Sequence, residues 1–413
     1  MQNTDYIQQL FATRIGGQEF GLKEEVYKFE KIKRAKKAAI LANPKKQLID
    51  LGVGEPDRMA HPDIVHFLYK EAMKPENRFY ADNGIDEFKQ AAANYMKNIF
   101  HVENLDPDKE INHAIGLKSA LSILPAAFIN PGDITIMPTP SYSILGTHTK
   151  YLGGEVFSLP LVEENSFLPI LDSIPESIVK KAKLLYLNYP NNPTGAVATK
   201  EFFEYVVHFA KKNQLIVIHD AAYAALVFDE QKPLSFLSIP GAKEVGIELH
   251  SLSKSFNMTG WRIGFVAGNE KVVSAFKTVK DQYDSGQFIP IQKAAAYALN
   301  HPDITVDIAR NYSRRHELLV DVLQYCGFQV EKPKGSFFLY AKIPKAIKNG
   351  PIFLTAEAFS QFLIKELLIS TVPWDDADAY IRFSVTFDAN SLEEEQQILT
   401  TIKERLQSVS FIF

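Results

Sequence analysis

At 413 residues, with 46% hydrophobic and 23% charged side chains and a formal charge of −4, the chain has material for one large and one small domain and no electrostatic case for nucleic-acid binding. Its single cysteine, Cys326, excludes an intramolecular disulfide framework and a cysteine-rich metal site. The N-terminus has no hydrophobic signal core and no apolar run approaches the ~20 residues of a membrane span, so a cytoplasmic protein is expected.

The first predicted element is a helix: the basic run Lys31-Ile-Lys-Arg-Ala-Lys-Lys37 continues into Ala38-Ala-Ile-Leu41 and reads as a solvated helix face rather than a binding patch. Leu51-Gly-Val-Gly-Glu-Pro-Asp57 and Arg78-Phe-Tyr-Ala-Asp-Asn-Gly84 follow as glycine-bearing turns. In His113-Ala-Ile-Gly-Leu-Lys-Ser-Ala-Leu121 a glycine leads into an apolar helix. Free N–H groups and the dipole at such a helix start favour an anion, although a glycine before a helix is by itself an ordinary turn. Leu184-Leu-Tyr-Leu-Asn-Tyr-Pro-Asn-Asn-Pro-Thr-Gly195 is a strand running into a turn, where Pro193 biases Asn192 away from helix. Phe203, Val206, Val207 and Ala210 then recur at helical spacing within 199–213, between a threonine cap and terminal lysines. That helix leads to the apolar strand Leu215-Ile-Val-Ile-His-Asp-Ala-Ala-Tyr223 and completes a βαβ unit. Near the C-terminus, Leu319, Val322, Leu323 and Cys326 form another apolar stripe stopped by Gly327, and 333–341 and 378–386 alternate like strands.

Two of these segments carry chemistry. Ser251-Leu-Ser-Lys-Ser-Phe-Asn-Met-Thr-Gly-Trp-Arg-Ile-Gly-Phe265 sets one lysine among hydroxyl residues with an arginine eight residues later. Lys254 is suited to form a Schiff base with an aldehyde cofactor, while Ser251, Ser253 and Arg262 are placed to hold a dianionic phosphate through charge-assisted hydrogen bonds. Pyridoxal 5'-phosphate carries both groups. Asp220 ends an apolar strand, the position at which parallel sheets gather ligands, and a carboxylate there would favour the protonated ring nitrogen that such a cofactor needs. An acid at a strand end is otherwise a common loop-starter.

Together the lysine motif, the Asp220 strand and the Asn192-Pro-Thr-Gly195 turn resemble the fold-type-I aminotransferases of class I/II, and the matches run in family order from Gly54 to Arg382. The resemblance implies an α/β fold: a large cofactor domain over 60–300 with a mixed, mostly parallel sheet between helical layers, and a smaller α+β domain from 1–59 and 301–413. It implies that Asn192 and Tyr223 reach the cofactor's phenolate oxygen, that Gly116, Leu117 and Lys118 form the phosphate turn, and that Tyr142 stacks on the ring. It places Arg382, whose planar fork suits a carboxylate, on the substrate together with Asn192, and brings the backbone at Gly54 so close to that carboxylate that a side chain would obstruct it. Tyr80 would reach the phosphate of a neighbouring subunit, which implies a homodimer with shared sites.

Within the family, Pro190-Asn-Asn-Pro-Thr-Gly-Ala-Val-Ala-Thr-Lys-Glu201 and His219-Asp-Ala-Ala-Tyr-Ala-Ala225 resemble the LL-diaminopimelate aminotransferases, as does Tyr27-Lys-Phe29, their N-terminal lid. Asp82 would meet the distal ammonium of such a substrate, and Lys118 either its distal carboxylate or the phosphate. The chain departs from the plant-type sequences at Gly54-Glu-Pro-Asp57 and lacks an asparagine near Ile289. The implied partners are amino-acid and 2-oxo-acid substrates, with no metal. A broad aspartate, alanine or aromatic aminotransferase is the alternative within the class, and a catalytically silent cofactor-binding regulator the alternative outside it. A nicotinamide dehydrogenase is excluded, because no G-x-G-x-x-G follows a strand.

Overall fold

The computed structural model describes residues 6–22, 28–229 and 231–413. Its centre is a seven-stranded sheet built from the apolar runs of the middle of the chain: β1 (Ile111–Ala114), β2 (Ile134–Thr139), β3 (Glu155–Pro160), β4 (Ala182–Asn188), β5 (Ile216–Asp220), β6 (Gly246–Ser251) and β7 (Gly264–Gly268). The order is β1-β7-β6-β5-β4-β2-β3. Neighbouring strands are parallel from β3 to β6, and β7 runs antiparallel to both β6 and β1.

Both faces of this sheet are covered, which is why its strands read as continuous apolar runs. Leu184, Tyr186, Ile218, Ile247 and Leu249 pack under the helix Leu117–Phe128. The alternate residues Leu185, Leu187 and Val217 pack on the other side with Phe203 and Val206 of the helix Lys200–Asn213, and with Phe88 and Ala92 of Asp86–Phe100. Thr199 caps Lys200–Asn213 by accepting the Phe202 N–H at 3.1 Å, as the sequence predicts.

A second body of core packs around an antiparallel sheet of β8 (Phe338–Lys342), β9 (Val372–Trp374) and β10 (Tyr380–Ser384), in the order β9-β10-β8. Leu319 and Leu323 of the helix Asp303–Tyr325 meet Phe337, Phe359, Ile381, Phe383 and Ile402 there. The predicted strand at 333–341 forms only from Phe338. The residues before it turn, with Ser336 at φ 63°, because the chain passes close to Pro190: a Cβ at Gly335 would lie 2.7 Å from that ring.

The N-terminal arm joins this second body. Ile49–Asp50 pairs in parallel with Ile369–Ser370. The helix Lys28–Ala42 lays Ile32, Ala35 and Ala39 on Ile364, Leu368 and Trp374 and leaves its basic face outward, where Lys31 pairs with Glu357 at 2.9 Å. A buried ion network fixes the same arm further along. Arg315 is wholly buried, 3.1 Å from Asp57 and 2.9 Å from Glu395, and donates to the carbonyls of Val385 and Phe387. Tyr312 donates to the other Asp57 oxygen at 3.1 Å.

Candidate active site

The carboxyl ends of β4, β5 and β6 open on one side of the large sheet and deliver Asn188, Asp220 and Ser251, as expected for ligands of parallel sheets. Asn188 and Asp220 are register partners, and Asn188 Nδ2 donates to the Asp220 carbonyl at 2.9 Å while its Oδ1 accepts the Asn192 N–H at 2.9 Å. The strand end therefore fixes both Asp220 and the Asn192 turn.

Asp220 is buried, and among the described residues its carboxylate accepts only neutral hydrogen bonds: the Tyr186 hydroxyl at 3.0 Å on Oδ2 and the Ala222 N–H at 3.2 Å on Oδ1. Burial raises its affinity for a proton, and those two donors offset only part of the effect. A buried carboxylate with no cationic side chain hydrogen-bonded to it among the described residues is prepared for a cationic ligand. Tyr186 was not singled out by the sequence, although it lies two residues before Asn188 and so on the same strand face. The phenols of Tyr142, Tyr186 and Tyr223 lie within electrostatic reach of one another, and burial holds Tyr223 and Tyr186 in the protonated, hydrogen-bond-donating form.

Ser251 caps the short helix Leu252–Ser255 by accepting the Ser253 N–H at 3.1 Å, which turns Lys254 toward the opening. Lys254 Nζ donates to the Gly54 carbonyl at 2.9 Å and sits 5.7 Å from the centre of the Phe337 ring. Burial, assisted by Arg262 and Arg382 and opposed by Glu55, lowers its amine from the usual lysine range to about 8.

Arg262 reaches the same space from φ 55°, with Nη1 donating to the Thr259 carbonyl at 2.8 Å and to Ser253 Oγ at 3.4 Å. Its guanidinium lies over Gly116, where a Cβ would come within 2.3 Å of Nη2, and Gly116 itself has φ +71°. Glycine is therefore required at 116 for both space and conformation. The helix Leu117–Phe128 starts there, so its first N–H groups and the Arg262 fork converge on one anion-sized place.

Arg382, on β10, is buried with its guanidinium 4.0 Å over the Phe338 ring. Nη1 donates to Asn192 Oδ1 at 2.9 Å and Nη2 to the Gly52 carbonyl at 3.1 Å, while Nε is buried with no partner among the described residues. Occupation of Oδ1 leaves the Asn192 Nδ2 protons for a ligand. The buried cation, with no carboxylate against it among the described residues, is prepared for an anionic ligand, and burial lowers even its guanidinium to about 10. A Cβ at Gly54 would be 3.7 Å from Arg382 Nη2, an ordinary contact, so the protein itself leaves room there and the expected obstruction is one toward a bound carboxylate.

The structure thus brings together Gly54, Gly116, Asn192, Asp220, Tyr223, Ser251, Ser253, Lys254, Arg262 and Arg382, with Tyr142 half-buried beside them. It does not bring every expected side chain to that place. Lys118 is exposed and its charge bears on His148, so only its backbone belongs to the helix start. Tyr80 is 85% exposed, and Asp82 is also exposed, its carbonyl accepting from Lys280. Tyr27 lies outside the described residues. Phe337 and Phe338, which wall Lys254 and Arg382, belong to the segment expected to alternate as a strand and are not among the expected site residues.

Residues 46–398 match the profile of the family described as Aminotransferase class I and II, and the chain belongs to that family. It is 56% identical to an LL-diaminopimelate aminotransferase of Methanocaldococcus jannaschii over 99% of both chains, and 55% identical to one of Methanococcus maripaludis over 99% of both. Among solved structures, substrate-bound BacF from Bacillus subtilis superposes with a TM-score of 0.86 at 32% identity over 98% of both chains. An aspartate aminotransferase from Thermotoga maritima superposes with a TM-score of 0.83 at 25% identity, covering 96% of this chain and 100% of the other. The fold is that of the fold-type-I aminotransferases.

Proposed function

We propose that this protein is an LL-diaminopimelate aminotransferase, exchanging amino groups between glutamate and tetrahydrodipicolinate on one side and 2-oxoglutarate and LL-diaminopimelate on the other, in the synthesis of lysine and peptidoglycan precursors. The observation that carries the substrate is the identity, above half, with two LL-diaminopimelate aminotransferases along the whole chain. The cofactor we assign is pyridoxal 5'-phosphate, and the side chains present fit it. The Arg262 fork over Gly116 and the helix start suit its phosphate, the buried Asp220 suits a protonated ring nitrogen, and Lys254 suits its aldehyde.

When bound, that cofactor supplies an electron-withdrawing ring that accommodates the electron pair left as the substrate's Cα–H bond breaks. The rest of the work falls to the chain. Arg382 pairs the substrate's α-carboxylate through its planar fork. The Asn192 and Gly52 oxygens hold that fork in place, at 2.9 and 3.1 Å. Lys254 Nζ would take the proton from the substrate's α-carbon. Asp220 would favour a proton on the cofactor's ring nitrogen, and Tyr223 and Asn192 would be the donors to its ring oxygen.

The amine at about 8 has a measurable consequence. Only the unprotonated amine attacks a carbonyl, so capture of pyridoxal phosphate by cofactor-stripped protein should accelerate with rising pH and level off above about 8. An unburied lysine would level off only above roughly 10.4. Stopped-flow absorbance across pH 6 to 10 measures this, and a rate still climbing at pH 10 removes the argument from burial.

We further propose a large domain over 60–300 and a small one from 1–59 and 301–413, in a cytoplasmic homodimer. No helix among the described residues is long and apolar enough to cross a membrane. The exposure of Tyr80 and of its neighbour Phe79 suits a surface covered by a second subunit. Asp82, on the same turn, would then meet the distal ammonium of LL-diaminopimelate. Truncating one partner of a desolvated charge pair costs about 2–5 kcal/mol, so Asp82→Ala should lower kcat/KM for LL-diaminopimelate at least tenfold and leave glutamate within about twofold. Equal losses with both substrates would remove Asp82 from the distal site. A wild-type protein inert toward LL-diaminopimelate and brisk with aspartate or alanine would leave only the broader aminotransferase.

A further inference from the structure

Gln287 links four segments around the anion end of the site, and none of the chemistry above uses it. Its Nε2 donates to the Trp261 carbonyl at 2.6 Å and to the Arg262 carbonyl at 2.9 Å. Its Oε1 lies 2.9 Å from His113 Nε2, at the end of β1, three residues before Gly116. Its own carbonyl accepts from Gln292 Nε2 at 2.8 Å, and Gln292 Oε1 takes the Ile85 N–H at 2.9 Å.

A primary amide has two N–H donors and one oxygen, so every polar group of this side chain is used, and its orientation follows from its partners. With two carbonyls on the nitrogen, the oxygen must face a ring N–H, which puts the His113 proton on Nε2. His113 Nδ1 is correspondingly bare, buried with no partner among the described residues. Burial lowers the His113 imidazole to about 4, so the neutral ring and this arrangement persist through neutral pH.

The Arg262 backbone needs such a support. Its φ of 55° lies in the left-handed region that any residue with a Cβ disfavours. The side-chain bonds to Thr259 and Ser253 fix only the inner edge of the guanidinium. Among the described residues it is Gln287 that bonds to the carbonyl. Gln287 is itself immobilised, because Gly286, at φ +83°, bridges Ala81 so closely that a Cβ would meet the Ala81 oxygen at 2.4 Å, and its N–H donates to Asp284 at 2.8 Å.

We propose that Gln287 is a positioning residue for the anion clamp, holding Arg262 in its left-handed conformation and so aiming the guanidinium at the cofactor's phosphate. This rests on the reading of the site as a pyridoxal phosphate site, and the test separates the two. Full-length protein stripped of cofactor is titrated by absorbance with pyridoxal 5'-phosphate and with pyridoxal, which lacks the phosphate. Wild type should prefer the phosphorylated form by a large factor.

Gln287→Leu should weaken pyridoxal phosphate at least tenfold and pyridoxal less than twofold. In an Arg262→Leu background it should cost the phosphorylated ligand nothing further, because the two residues act as one unit. Gln287→Asn, one methylene shorter and still polar, should reproduce the selective loss if the leucine variant does not fold. Equal weakening of both ligands, full additivity with Arg262→Leu, or an unchanged preference in Gln287→Asn would each overturn the role of Gln287. A wild type with no preference for the phosphorylated ligand would overturn the cofactor reading instead.

Discussion

Lys254→Ala should lower transamination by about four orders of magnitude or more, the upper range for removal of a positioned general acid–base, with the loss of the cofactor's covalent attachment added to it. The fold should survive. Lys254 gives up one hydrogen bond, to the Gly54 carbonyl, and a distant approach to Phe337, and the helix Leu252–Ser255 keeps its Ser251 cap. Thermal unfolding of the variant should therefore stay near that of the wild type. Borohydride reduction of the wild-type protein followed by peptide mapping should find the cofactor on the Lys254 peptide. A label on any other lysine, or turnover surviving in the variant, would remove the central residue of the proposed mechanism.

Asp220→Asn should lower turnover by about two to three orders of magnitude, the cost typical of removing one preorganised electrostatic group. The substitution is nearly isosteric. Asparagine's Oδ1 can still accept the Ala222 N–H while its Nδ2 donates to the Tyr186 oxygen, which reverses that bond and turns the hydroxyl proton away. What disappears is the charge that favours a proton on the ring nitrogen. Cofactor absorbance should show the variant loaded, and single-turnover kinetics with glutamate should show the slow step at the chemistry rather than at binding. Near-normal turnover would mean that Asp220 is not the ring's acid.

The parts of the site that sequence made legible are those held by local rules. Asp220 ends an apolar strand, Asn192 precedes a proline and Gly116 precedes a helix; each rule acts within a few residues. Arg382 was recognisable by its chemistry and by family likeness, but its partners were not, because Gly52 and Asn192 come from segments far away in the chain. The same holds for Tyr186 and Gln287: a tyrosine within an apolar strand and a glutamine after a glycine carry no local signal, and only the packed fold brings them to Asp220 and Arg262. The expected strand at 333–341 was half correct for a related reason. Alternation predicts the strand from Phe338 onward, but the approach of Gly335 to Pro190 overrides it earlier.

The buried network of Asp57, Arg315 and Glu395 also bears on how the molecule is made. Residues 49–57 leave the ribosome early, yet their partners are Ile369–Ser370, Arg315 and the helix Leu392–Gln407, which leave late. The seven-stranded sheet, spanning 111–268, can close long before that. During synthesis the N-terminal arm must therefore wait, its apolar residues Ile49 and Leu51 uncovered, until nearly the whole polypeptide has emerged. Assembly of this half is a late, long-range event, and a chain interrupted before residue 315 would carry an intact seven-stranded sheet with an N-terminal arm that has none of these partners.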